Sequence, residues 1–302
     1  ANAAQNGSLP RLNCPDKENY YALQYSHPEW LVRLLSEQYG QKLTQKICQA
    51  DNADAPISVR VNTMKCTPAE AQAELEAAGL TVQPHEAFPE ILLCSGGDAA
   101  ALPAFIEGRV TVQDAASALA AAVADPKPGS TVLDCCAAPG GKTAHLLESA
   151  DLDLLALDID AGRTRRIEEN LQRLGLRAEV KAADCSDLKH WWDGRPFDAI
   201  LADVPCSASG VVRRHPDIKR LRRESDIRRL VHTQAQILDL LWSVLKPGGH
   251  LLYATCSVFP EENGAQIDAF LVRQPGAQRV SEERLLPQVD RDGFYYALLR
   301  KP

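Results

Sequence analysis

The sequence lacks the features that mark membrane-spanning, secreted and zinc-binding proteins. Its apolar runs fall short of the roughly 18 residues that a membrane helix needs, and no secretory signal opens the chain. The nine cysteines are odd in number and include no CxxC pair, which favours reduced thiols over disulfides or a zinc site. We expect a cytoplasmic protein that acts as a monomer, without a metal ion or membrane contact. Because it begins with Ala1, we also expect a fragment or a processed product.

Three common glycine or serine motifs are also missing. The Walker A phosphate loop fails because Cys136 stands where its first glycine is required. The dinucleotide fingerprint GxGxxG fails because Ala138 stands two residues before Gly140. The serine elbow GxSxG fails because Ser207 occupies the position of its first glycine. These absences exclude a triphosphate cradle, a dinucleotide loop and a serine hydrolase at these positions.

The pattern of polar and apolar residues along the chain indicates two domains that follow a polar tail. Residues 1–24 have no hydrophobic period and indicate a tail or linker. Residues 25–108 predict a small α+β domain, with a first helix that stops at Gly40. Residues 109–302 alternate apolar runs with helical segments, which is typical of a doubly wound α/β sheet. Its last strand, near 293–301, is expected to be antiparallel.

The apolar runs of the larger domain each end in or near an acidic residue. In an open α/β sheet these strand ends form the ligand crevice. Asp158 lies about 20 residues beyond the loop "CAAPGGK", where nucleotide-binding folds place the carboxylate that binds a ribose diol. Asp184 ends the next strand, in a position suited to an adenine. A ligand with ribose and adenine but no diphosphate cradle indicates S-adenosylmethionine. The four acids at strand ends are Asp134, Asp158, Asp184 and Asp203.

Two further strand ends carry cysteines, Cys206 in "DVPC" and Cys256 in "YATC". Methyltransferases that act on exocyclic amines have an aromatic residue where Cys206 stands. A thiolate that adds to C6 of cytosine makes C5 nucleophilic, so a thiol in the crevice indicates methylation of cytosine C5 by covalent catalysis. Asp203, beside the ring, could hydrogen-bond N3 and N4 and stabilise the adduct. Free cysteines are usually inert core residues, and we expect this of Cys48, Cys66 and Cys94.

These motifs together resemble the RNA 5-methylcytosine methyltransferases of the Nol1/Nop2/Sun family, and most closely its bacterial branch that acts on 16S rRNA. The resemblance covers about residues 25–302 and rests on "CAAPGGKT", "LDIDAGR", "DVPCSASGVVRRHPDIK" and "YATCSVFPEEN". It implies a Rossmann-like class I S-adenosylmethionine-dependent methyltransferase sheet with a small N-terminal α+β domain. By this resemblance the cofactor-binding residues are Cys136, Ala137, Ala138, Pro139, Gly140, Gly141, Lys142, Asp158, Arg163, Asp184 and Asp203.

The resemblance also assigns roles to the two thiols. Cys256 would be the nucleophile and Cys206 would assist product release, whereas DNA cytosine methyltransferases attack with the thiol of their Pro-Cys motif.

Two features depart from the family pattern. Val204 stands where the family mostly has Ala or Pro, and the helical NusB-like RNA-binding domain that precedes the 16S rRNA branch is not found in this sequence.

A basic segment at 211–229 contrasts with the net charge of −7, which argues against a surface that is basic throughout. It contains eight Lys or Arg residues and three acids. Next to a predicted active-site strand, such a segment is typical of a surface that contacts phosphates. The target base must also leave its stack to reach a thiol in a crevice. The candidate RNA-contacting residues are Arg213, Arg214, Lys219, Arg220, Arg222 and Arg223. We also expect the small domain of residues 25–108 to contact RNA.

The sequence thus predicts transfer of a methyl group from S-adenosylmethionine to C5 of a cytidine in RNA, with 16S rRNA as the expected substrate. The same chemistry on tRNA is one alternative. A non-catalytic RNA-binding factor for ribosome assembly is another, although two crevice thiols with a full set of acids argue against a degenerate site. A hydrolase with a cysteine nucleophile is a third, but His232 and His250 have no evident orienting acid.

Overall fold

The computed structural model describes residue 14 and residues 16–302, and it begins with two helices. Helix α1 spans Lys17–Gln24 and is capped by Asp16, whose Oδ1 accepts a hydrogen bond from the backbone N–H of Asn19 at 2.7 Å. The predicted tail was therefore wrong for residues 17–24, because Tyr21 is buried in a hydrophobic cluster. Residues 1–13 and residue 15 of that prediction lie outside the described residues.

Helix α2 spans Glu29–Asp51 and has a kink where the sequence predicted a stop. Gly40 adopts φ 70° and ψ 164°, outside the helical region, and the helix then resumes. The second half continues because Ile47 and Cys48 supply a buried face, 1% and 0% exposed, that packs in the same cluster as the first half.

A four-stranded antiparallel sheet forms the rest of the small domain, in the order β2-β3-β1-β4. Its helix α3 begins with a capping box, in which Thr67 and Glu70 satisfy each other's backbone N–H groups. The elements are β1 (Ile57–Val61), α3 (Pro68–Ala77), β2 (Thr81–Pro84), β3 (Ile91–Ser95), α4 (Pro103–Ile106) and β4 (Val110–Val112).

The larger domain is a seven-stranded sheet with helices between its strands, as the sequence predicted. Its elements are α5 (Ala115–Ala124), β5 (Thr131–Cys135), α6 (Gly141–Ser149), β6 (Asp153–Asp158), α7 (Ala161–Leu174), β7 (Glu179–Ala182), α8 (Leu188–Trp191), β8 (Phe197–Asp203), α9 (Ile218–Leu221), α10 (Glu224–Val244), β9 (Leu245–Thr255), α11 (Gly264–Arg273), β10 (Gln278–Leu285) and β11 (Phe294–Arg300).

The strand order β10-β11-β9-β8-β5-β6-β7 positions the site. Strands β9, β8, β5, β6 and β7 are parallel, so their carboxyl ends meet at one edge of the sheet. The predicted antiparallel last strand is confirmed as β11, which pairs with both β9 and β10. None of the helices in the described part of the chain combines the length and apolar content needed to cross a lipid bilayer.

A buried ion pair attaches the small domain to the larger one. Arg60 of β1 pairs with Glu148 of α6, and the two side chains are 1% and 3% exposed. Arg60 Nε also donates to Gln113 Oε1 at 2.6 Å. Because α6 follows the loop predicted to bind the cofactor, the small domain is fixed against the helix that carries this loop.

Candidate active site

The segment predicted to bind the cofactor, residues 136–142, turns sharply after β5 and enters α6 at Gly141. Cys136 and Gly140 both adopt left-handed backbone angles, with φ of 62° and 96°. A Cβ atom at Gly140 would lie 3.1 Å from the Cα atom of Ile167 in α7. Glycine at this position is therefore required by the backbone conformation and by the close approach of α7.

Asp158 holds this loop in place from the end of β6. Its Oδ2 accepts from the backbone N–H of Ala138 and its Oδ1 from that of Asp160, both at 3.1 Å. Arg163 closes the arrangement by donating to the carbonyl oxygen of Ala138 at 2.9 Å. The residue that the sequence assigned to a ribose diol is thus 2% exposed and also positions the loop, a role that the sequence did not predict.

Two other predicted acids flank the loop and differ in environment. Asp134, at the end of β5, is fully buried and accepts from Thr143 Oγ1 at 2.5 Å, while its Oδ1 has no partner among the described residues. Burial raises the pKa of Asp134 to about 7. Asp184 is exposed beyond β7, and its Oδ1 accepts from the N–H and the hydroxyl of Ser186, each at 2.8 Å.

An ion pair connects the loop side of the crevice with the end of β8. Lys142 Nζ lies 2.8 Å from Asp203 Oδ2 and 5.2 Å from the ring centroid of Phe294. Burial opposes the charged form of Lys142, but Asp203, Cys256 and Asp134 outweigh burial and raise the pKa of the lysine. The crevice therefore contains a fixed cation beside its acids.

The structure brings the two predicted thiols together. The Sγ atoms of Cys206 and Cys256 are 3.4 Å apart, at the ends of the neighbouring strands β8 and β9. The hydrogen bond between these thiols, together with burial, raises the pKa of Cys206 well above its ordinary range. Cys206 therefore keeps its proton at neutral pH.

A glycine that the sequence did not single out fixes the backbone of Cys256. Gly210 donates its N–H to the carbonyl oxygen of Cys256 and accepts from the N–H of Gly293, both at 2.8 Å. A Cβ atom on Gly210 would lie 2.3 Å from the carbonyl oxygen of Gly293 and 2.9 Å from that of Cys256. Only glycine fits between these two segments without backbone movement.

Comparison with known proteins agrees with this geometry. The family model described as "16S rRNA methyltransferase RsmB/F" matches residues 121–300, and that of the "RsmF/B-like, ferredoxin-like domain" matches residues 27–97. This chain belongs to the RsmB/F family. The family resemblance drawn from the four motifs is thereby confirmed, and a cysteine hydrolase is no longer a plausible alternative.

Relatives in the RsmB/F family cover almost the whole chain. "Ribosomal RNA small subunit methyltransferase B" of Vibrio cholerae serotype O1 is 49% identical over 287 residues, which cover 92% of this chain and 66% of the relative. The protein of that name from Vibrio vulnificus is 47% identical over 292 residues, or 94% of this chain and 68% of the relative. The chain thus spans about two thirds of the length of these curated relatives.

A solved structure supports the fold. A "methyltransferase homolog protein" from Pyrococcus horikoshii matches with a TM-score of 0.83 and 27% identity, covering 96% of this chain and all of that one. The predicted Rossmann-like methyltransferase sheet with a small N-terminal α+β domain is therefore confirmed.

Of the six predicted RNA-contacting residues, two are internal in this RsmB/F chain, and Arg214 is partly buried, with its side chain 29% exposed. Arg213 Nε donates to Asp292 Oδ1 at 2.6 Å, and both side chains are 1% exposed. Arg214 contacts the other oxygen of Asp292 and also donates to Asp114 Oδ2 at 3.0 Å. Lys219 is 8% exposed and donates to the side chain of Asn52. The prediction is wrong for Arg213 and Lys219, because their side chains are buried and already paired or hydrogen-bonded inside the protein. For Arg214, which is partly exposed, contact with RNA stays a prediction.

The other three candidates remain accessible. Arg220 is exposed, and Arg222 and Arg223 line an open groove of about 810 Å³ beside the start of α10. Arg228 and Arg229 line the same groove, and Asp226 is the acid that faces them. We call this surface the basic groove; its four arginines are Arg222, Arg223, Arg228 and Arg229.

A cluster of thiols was also missed by the sequence analysis. The Sγ atoms of Cys135, Cys136 and Cys185 all lie within 4.8 Å of one another. Cys185 is far from the other two along the chain, and only the pairing of β6 with both β5 and β7 brings them together. Thiolates are ligands that soft metal ions prefer, so the expectation of a protein without a metal ion stays a prediction.

Proposed function

We propose that this chain transfers a methyl group from S-adenosylmethionine to C5 of a cytidine in RNA, with 16S rRNA as the substrate. The names of its relatives support RNA methylation of the small ribosomal subunit. The observation that carries the proposal is the Cys206–Cys256 thiol pair, 3.4 Å apart beside the Lys142–Asp203 ion pair. Action on ribosomal RNA also favours a cytoplasmic location.

The residues present fit this cofactor. The loop in which Cys136 has left-handed backbone angles leads to the N-terminus of α6, and a helix N-terminus suits the carboxylate group of the cofactor. The carboxylates of Asp158 and Asp184 stand at or just beyond the adjacent ends of β6 and β7. The fully buried Asp134 Oδ1, which has no partner among the described residues, lies at the base of this region. When bound, S-adenosylmethionine would supply an electrophilic methyl group. The loop from Cys136 to Lys142, Asp158, Arg163, Asp184 and Asp203 would hold it.

The thiol chemistry follows from the pair of cysteines. The thiolate of Cys256 would add to C6 of the cytosine, forming an S–C6 bond and moving electron density to C5. C5 can then accept the methyl group. Water takes the C5 proton, the C5–H electron pair re-forms the C5–C6 double bond, and the S–C6 bond breaks with Cys256 leaving as a thiolate, which restores the aromatic ring. Cys206, held protonated beside Cys256, would assist this release.

Lys142 and Asp203 would stabilise the charges that appear on the ring. Asp203 Oδ2 accepts from Lys142, and the second carboxylate oxygen can accept from N4 of a cytosine in the crevice. The protonated Lys142 also places a positive charge near Cys256.

The basic groove would receive the RNA backbone next to the thiols. Arg222 Nε donates to the carbonyl oxygen of Ser207 at 3.1 Å, so the groove is attached directly to the loop that carries Cys206. Its arginines would bind phosphates while the target base leaves its stack and enters the crevice. The small domain, fixed on α6 through Arg60, would extend this surface.

Methyl transfer from labelled S-adenosylmethionine to purified 16S rRNA and tRNA tests the proposal. We expect label in 16S rRNA, and bisulfite sequencing should then map it to cytidine C5. Label only in tRNA would overturn the choice of substrate. RNA binding without any methyl transfer would favour the non-catalytic assembly factor instead.

A further inference from the structure

One buried carboxylate joins the two loops that carry the thiols. Glu262 is 0% exposed, and its Oε2 accepts hydrogen bonds from Ser207 Oγ and Ser257 Oγ, each at 2.5 Å. These serines directly follow Cys206 and Cys256. A single oxygen atom therefore binds the residue next to each thiol, in loops that are 50 residues apart in the chain.

The other oxygen of Glu262 completes the arrangement. Its Oε1 accepts from the backbone N–H of Ser207 at 2.8 Å and from Gln234 Nε2 at 3.1 Å, and Gln234 also donates to the carbonyl oxygen of Pro205 at 2.9 Å. The backbone carbonyl of Glu262 accepts from Tyr253 OH at 2.6 Å. Helix α10 and strand β9 thus hold Glu262 in place from two sides.

Nothing in the proposed chemistry uses this carboxylate directly. Among the described residues, no Lys, Arg or His lies within ion-pair distance of Glu262, so its burial is offset by four hydrogen bonds alone. The serines are ordered in turn: Ser257 Oγ accepts from Phe259 N–H at 3.0 Å. Such a fully satisfied polar network specifies one arrangement of the loops that it connects.

We infer that Glu262 is a positioning residue that sets the separation of the Cys206 and Cys256 thiols by binding the serine after each. The effect of Glu262 on catalysis rests on the proposed function, whereas its effect on the separation of the two thiols does not. Without the Oε2 acceptor, the two loops lose their common partner and Cys206 no longer stays beside Cys256. Attack by Cys256 would continue, but the release assisted by Cys206 would slow.

Disulfide formation measures the thiol separation without RNA or cofactor. Diamide removes one hydrogen from each of two thiols, is itself reduced to the hydrazine, and leaves an S–S bond. The chains to compare are the wild type, Glu262→Ala and Glu262→Gln, with Glu261→Gln at the exposed neighbouring glutamate as the matched control. Peptide mapping by mass spectrometry follows the Cys206–Cys256 disulfide over time.

We expect the wild type and Glu261→Gln to form this disulfide at the same rate. Glu262→Ala should be about tenfold slower and Glu262→Gln intermediate, because hydrogen bonds to a carboxylate are lost or weakened. If Glu262→Ala does not fold, Ser257→Ala removes a single donor and should also be slower than the control. Equal rates in all chains, or no disulfide in the wild type, would overturn the inference.

A second readout separates positioning from general stability. With ordinary RNA and S-adenosylmethionine, folded Glu262→Gln should accumulate a denaturant-resistant protein–RNA complex, because attack outpaces release. A merely structural role would lower adduct formation and release together. If no chain, including the wild type, forms such a complex, the proposed function fails while the disulfide rates still decide the role of Glu262.

Discussion

Replacing Arg213 by methionine should destabilise the protein rather than weaken RNA binding. Methionine keeps much of the length of the arginine side chain but removes its charge and its donors. Arg213 donates to Asp292 Oδ1 and to the carbonyl oxygen of Gln288, both at 2.6 Å, and the arginine and aspartate side chains are each 1% exposed. The substitution would leave a buried carboxylate with Arg214 as its remaining charged partner.

The expected loss is about 3 kcal/mol of unfolding free energy, the low end for breaking a buried ion pair, because Arg214 still compensates Asp292. Urea unfolding of the wild type and the variant measures it directly. Arg223→Ala is the control, since this exposed arginine of the basic groove should change stability by no more than about 0.5 kcal/mol. An Arg213→Met protein as stable as the wild type, with a flatter salt dependence of RNA binding, would refute the reasoning.

Three further predictions concern the groove and the acids. Replacing the four arginines of the basic groove by alanine should lower the slope of log K against log salt for RNA binding, whereas alanines at the exposed Arg165 and Arg166 of α7 should have a smaller effect. Asp158→Ala should weaken S-adenosylmethionine binding by at least tenfold in calorimetry, because roughly 1.5–3 kcal/mol is lost with each hydrogen bond to a charged acceptor; unchanged affinity would remove it from the site. Burial raises the pKa of Asp134 from 3.8 to about 7, so its stabilising contribution is complete below pH 3.8 and is lost as the pH rises through 7. Asp134→Asn should therefore flatten the pH dependence of the unfolding free energy over that interval, and an unchanged profile would contradict the assignment.

The parallel strands and their acids could be predicted because they depend on local pattern. Apolar runs that end in Asp134, Asp158 and Asp203 predict buried strands and one shared edge, and this edge is where the structure has them. The antiparallel last strand followed from the same pattern. Strand β10 could not be predicted, because it is a polar edge strand whose formation depends on pairing with β11.

The errors at the basic segment have a different cause. A run of arginines shows charge but not partners, and the partner of Arg213 is Asp292, 79 residues further along the chain. The role of Glu262 was hidden for the same reason, since its two serines are 55 and 5 residues away. Contacts of this kind depend on tertiary structure, so the sequence analysis identified the thiols but not the network that positions them.

The trapping of covalent RNA complexes by single cysteine variants tests the central claim most directly. RNA containing 5-fluorocytidine should trap the wild type as a denaturant-resistant complex, because fluorine at C5 blocks the final proton loss. Cys256→Ala should form no complex with either RNA. Cys206→Ala should accumulate a complex even with ordinary RNA, because it attacks and methylates but releases poorly. A complex with Cys256→Ala and none with Cys206→Ala would contradict the account and make Cys206 the nucleophile.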